Sequence, residues 1–84
     1  MKKETNKTLT IDRPAIYQIK VPGHLDESWL DGTNEMTVTT GSDEVGFPIT
    51  MLTGSFDQAA LLGLLRRLYS LGLPLISVIC LEVV

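Results

Sequence analysis

A helix with both ends marked is the strongest constraint this sequence places on its fold. Leu61, Leu64, Leu65, Leu68 and Leu71 recur at spacings of three and four, the pattern of one buried helical face. Ser55, followed three residues later by Gln58, reads as a capping box in which each side chain satisfies the other's free backbone N–H. Asp57 adds negative charge at the positive end of the helix dipole. At the far end Gly72 suits the left-handed conformation that stops a helix. Leu73 then reaches back toward Leu68, and Pro74 prevents continuation.

The other elements are strands. Residues 15–21 alternate, with Tyr17, Ile19 and Val21 on one face and Ile16, Gln18 and Lys20 on the other, until Pro22–Gly23 ends the run. Residues 22–35 form an acidic loop. Strands over about 36–40 and 47–53, joined by the turn-like segment 41–46, should make an antiparallel hairpin. A last strand over about 75–81 is apolar on both faces and therefore calls for cover on both sides. The order is β-β-β-α-β, an α+β fold. The expected arrangement is a four-stranded mixed sheet with the helix on one face and the last two strands parallel through a right-handed crossover.

Length limits the protein to one domain. With 84 residues there is no room for a second core, so residues 1–10 read as a flexible tail and 11–84 as a single α+β domain. At 44% apolar and 20% charged residues the composition is that of a folding sequence, not a disordered one. A domain this small needs extra stabilisation. One cysteine and one histidine exclude a disulfide and argue against a structural zinc site, which leaves association between subunits. The net charge is −3, and three of the seven basic residues, Lys2, Lys3 and Lys7, lie in the tail. That balance argues against nucleic-acid binding and against a basic membrane-binding face. No apolar segment follows Lys2–Lys3, and 71–84 is too short and too interrupted to span a bilayer. The expectation is a cytoplasmic protein with no cofactor.

The most informative feature is an excess of apolar surface. Ala59, Leu62 and Tyr69 form a second helical stripe, with Arg66 and Leu73 beside it, and the last strand adds Ile76, Val78 and Cys80 on its second face. Burying one Leu or Ile contributes roughly 1.5–3 kcal/mol, so a few such residues can support a specific interface. A homodimer is the default assembly, with higher homo-oligomers or a different protein as other partners. The alternative is that the helix covers more of the sheet than this arrangement credits.

Chemistry, if present, concentrates in the loop that holds His24, Asp26, Glu27, Ser28, Trp29 and Asp31. A histidine beside carboxylates suits general-base work, and a tryptophan offers a flat apolar platform. The competing reading is a solvated acidic loop whose Trp29 folds over the sheet edge. Ser28, His24 and Asp26 lie too close in sequence to converge as a nucleophilic triad. The spacing of Asp26, Glu27, Asp31 and Glu35 departs from the twelve-residue calcium loop. Cys80, inside a strand, reads as a small buried hydrophobe. Two function classes stand: a non-enzymatic interaction module using the outer helix face and last strand, and a ligand-binding or catalytic site in the 22–35 loop completed across a dimer interface.

Five segments also resemble a family of short uncharacterised proteins from bacteria, including cyanobacteria and chloroflexi, and some archaea. These are Gly23–Trp29 (GHLDESW), Met36–Thr37, Leu52–Gly54 (LTG), Asp57–Leu65 (DQAALLGLL) and Leu71–Val78 (LGLPLISV). The resemblance runs from Tyr17 to Leu81 and implies the same fold; it brings no activity with it. This sequence departs from the family pattern at Leu62, where a histidine is common, and at Leu30–Asp31–Gly32, where an aromatic pair often follows the tryptophan. Leucine in place of histidine makes the second helical stripe more apolar.

Overall fold

Alternation along the first strand decides the centre of the fold. In the computed structural model, which describes residues 8–25 and 36–84, β1 (Ala15–Pro22) buries every odd-numbered side chain and half-buries every even one. A strand can keep that pattern throughout only if it is flanked on both sides. β3 (Pro48–Phe56) and β4 (Ser77–Val83) do so, and β2 (Thr37–Ser42) completes the order β2-β3-β1-β4. The helix α1 (Gln58–Ser70) connects β3 to β4.

Every pairing is antiparallel. The expected mixed sheet is therefore corrected to an antiparallel one. β3 and β4 do run in the same direction across the helical crossover, but β1 lies between them instead of leaving them adjacent. The expected hairpin is present as β2–β3, closed by a turn in which the Asp43 carboxylate accepts the N–H groups of Val45 at 3.0 Å and Phe47 at 2.9 Å.

The core lies between the helix and one face of the sheet. Ala15, Tyr17, Ile19 and Val21 of β1 and Leu52 and Phe56 of β3 meet Leu61, Leu64 and Leu68 of α1. Leu25, Met36, Val38, Leu65 and Leu73 pack around them, and β4 contributes no residue to this cluster.

The helix starts differently from the sequence expectation. β3 continues through Phe56, so Ser55 is a strand residue and Asp57 is the N-cap, its carboxylate accepting the Ala60 N–H at 2.8 Å. Gln58 is released from any capping box. It donates instead to the hydroxyl of buried Tyr17 at 2.6 Å, tying the first helical turn to β1. The helix ends as expected: Gly72 has φ +80°, its N–H reaches the Tyr69 carbonyl at 2.9 Å, and the Leu73 N–H reaches the Leu68 carbonyl at 3.0 Å. These two bonds make a Schellman motif.

Thr50 is the one fully buried polar residue among those described, and it fixes how the backbone leaves β1. Its hydroxyl donates to the Gly23 carbonyl at 2.7 Å and accepts from the Leu25 N–H at 3.0 Å. Thr50→Val keeps the shape but strands both main-chain groups. It is expected to cost about 1–3 kcal/mol, read as a lowered midpoint in urea. Thr53→Val, at a half-buried position in the same strand, should cost under about 1 kcal/mol.

Candidate interaction surface

The structure places the sequence-predicted residues in two unequal groups. His24 is exposed, held outward because Thr50 anchors the residues on either side of it. Asp26, Trp29 and Asp31, and with them the expected fold-back of Trp29, lie outside the described residues. No three His, Cys, Asp or Glu side chains gather as a metal-binding group among the described residues. No helix among them is long and apolar enough to cross a membrane.

The second group is largely exposed. Ala59, Leu62, Arg66 and Tyr69 are exposed on the helix, and Ile76, Val78 and Cys80 are exposed on the last strand and its lead-in. Leu73 is the exception, since it packs against the core as part of the helix stop. The expectation of a buried Cys80 is corrected to an exposed thiol. The physical reason is the strand order. Central strands are covered by their neighbours, whereas β4 lies at the edge, and α1 packs over β1 and β3.

Register shows which side chains share the helix-facing side of β4. Val78 lies opposite Ile19 and Cys80 opposite Tyr17, both core positions of β1. Ser77 and Ile79 lie opposite Lys20 and Gln18 on the other face. The pairing shifts between Ile16 and Tyr17, so that Glu82 meets Ile16 and Leu81 is left over as a bulge. Val78 keeps 38% of its surface, Ile79 45% and Leu81 52%. An edge strand with apolar residues exposed on both faces is unusual in a soluble domain.

The helix supplies a wall to this floor. Successive residues advance about 100° around a helix, so Leu65, Tyr69 and Leu62 form one flank of the core stripe of Leu61, Leu64 and Leu68. A β3–α1–β4 crossover takes the right-handed sense, and that hand turns this flank toward β4. Tyr69 also lines a small depression with Gly72, Leu73 and Pro74, the segment that leads into β4. Leu62 is 49% exposed and Tyr69 83%. Helix flank and strand edge thus each present exposed apolar side chains.

A second depression lies at the opposite face, between the β2–β3 turn and Ile76, lined by Lys20, Asp43, Glu44, Val45 and Ile49. Asp43 is already committed to the turn amides there. Lys20 and Glu44 are left as charged side chains with no convergent geometry that suggests a reaction.

The family model described as a domain of unknown function, DUF8691, matches residues 16–79. The protein belongs to the DUF8691 family. The matched span runs from β1 into β4 and includes the whole helix. No curated protein matches the sequence. No solved structure matches it either. The family description carries no activity, which leaves the surface itself as the ground for a functional reading.

Proposed function

We propose that this domain is a non-enzymatic interaction module that self-associates through the corner formed by the helix flank and β4. One observation carries the reading: six large exposed apolar residues, Leu62, Tyr69, Ile76, Val78, Ile79 and Leu81, fall on or beside two consecutive elements, α1 and β4. Covering such a surface is the ordinary way for a domain of this size to gain stability that its own core does not supply. Homo-oligomerisation is the preferred form, in keeping with the prevalence of closed symmetric dimers. A different protein with a matching apolar surface is the alternative partner.

The test is a double substitution on the helix wall. Leu62→Glu with Tyr69→Lys places two charges on the surface and touches no core residue. The variant should keep the wild-type circular dichroism spectrum and sediment as a monomer at concentrations where the wild-type protein is an oligomer. A folded double variant that remains as oligomeric as the wild type would remove this face from the interface.

A further inference from the structure

The two edges of the sheet are chemically unlike. β2 reads TVTTGS, a polar strand, whereas β4 reads SVICLEV. An edge strand offers unpaired N–H and C=O groups to any incoming strand, and natural edges are commonly blunted by lysine, proline or brevity. β4 is 7 residues long and holds neither Lys nor Pro, and the bulge at Leu81 and the charge of Glu82 sit at its far end, leaving Ser77–Cys80 regular and uncharged.

Resting on the reading of this corner as a self-association surface, we propose that β4 pairs antiparallel with β4 of a second copy, joining the two sheets into one of eight strands. Antiparallel pairing of identical edges requires a two-fold axis perpendicular to the sheet. Faces are then preserved, and both helices lie on the same side of the seam. Residues opposite one another must share a face, so the axis passes through one of the exposed positions of the regular stretch, Val78, Ile79 or Cys80. With the axis at Ile79, Ile79 meets Ile79 of the second copy and Val78 meets its Cys80. Glu82 does not oppose its own copy in any such register.

This geometry selects the occupant. A lone peptide strand would satisfy the backbone of β4 but leave Leu62 and Tyr69 in water. A second copy brings both a strand and a helix, so each helix flank closes over Val78 and Cys80 from both strands. The available apolar area is of the order a dimer needs. The exposed fractions of Leu62, Tyr69, Leu75, Ile76, Val78, Ile79 and Leu81 together equal about three and a half whole side chains. At roughly 200 Å² for a large side chain that sets an upper limit of about 700 Å² per copy on the apolar side-chain contribution, to which the backbone and Cys80 add. A stable interface takes about 800 Å² per partner.

Cross-linking tests the pairing directly, because Cys80 is the protein's single cysteine and is exposed. Wild-type protein is compared with Val78→Cys, Ile79→Cys and Thr39→Cys, each combined with Cys80→Ser, under mild copper-catalysed oxidation. Directly opposed residues of an antiparallel pair have Cβ atoms about 4.5–5.5 Å apart, near disulfide range. At least one of positions 78, 79 and 80 should therefore give covalent dimer at least about tenfold faster than position 39 on β2. If the protein is an oligomer by mass but no β4 position outpaces position 39, strand pairing is overturned while self-association stands. If the mass is monomeric, both are overturned. Hydrogen exchange on the unmodified protein gives a readout free of substitutions. Amide protection within residues 77–81 should rise at least about tenfold from dilute to concentrated protein, and protection independent of concentration would overturn the pairing.

Discussion

Leu68→Ala is expected to bring the domain close to unfolding at room temperature. Leu68 is fully buried on the helix face that meets β1 and β3, and its backbone carbonyl also accepts the Leu73 N–H that closes the helix. Removing a buried leucine side chain costs about 2–5 kcal/mol, through lost transfer energy and the cavity left behind. A domain of this length holds only about 4–13 kcal/mol of stability in total. The thermal midpoint should fall by roughly 10–30 °C, measured at one fixed protein concentration because association also contributes. Val45→Ala, at a 76% exposed turn position, should shift it by no more than about 3 °C. A Leu68→Ala protein as stable as the wild type would mean that the helix does not cover the sheet as described.

Ile79→Lys is expected to abolish association at a cost in fold stability small enough to measure around. Ile79 stands in the middle of β4, nearly half exposed, opposite Gln18 on the face away from the helix. A lysine there can extend into water from an isolated monomer. In a seam with its axis at Ile79 it would stand directly opposite the same lysine of the other copy, and like charges placed opposite one another destabilise a strand pair. Replacing a residue that dominates an interface costs about 2–4 kcal/mol, and with Ile79 in that role the dissociation constant should rise roughly 30- to 1000-fold. Sedimentation equilibrium of wild type and variant at matched concentrations measures the shift. Thr39→Lys on the polar edge, β2, should leave the mass unchanged. Equal losses at both edges would point to general destabilisation, not to an interface on β4.

Much of the fold is legible in the sequence because its signals are local. The leucine spacing, Gly72 and Pro74 determine the helix and its stop with residues close together in sequence, and the alternation of β1 is visible within eight residues. Strand order is not legible, because pairing depends on contacts between residues far apart. The apolar character of β4 suggests a central, covered strand, while the structure places it at the edge. The exposure of Cys80 follows from the same placement. Ser55 reads as a cap because the motif Ser55–Gln58 is satisfied in sequence. Tyr17, some forty residues away, competes for Gln58 and wins. The excess of apolar residues on the helix and last strand is visible from composition and spacing alone. Their exposure on β4 is not, since it follows from the edge position of that strand. The residues around Trp29 fall outside those described, and the structure adds His24 alone to that reading.

Self-association is tested most directly by the solution mass from multi-angle light scattering across a dilution series. A dimer or a larger closed assembly is expected at micromolar concentrations, dissociating only on strong dilution. A mass of 9.2 kDa, that of one monomer, at every concentration would contradict it.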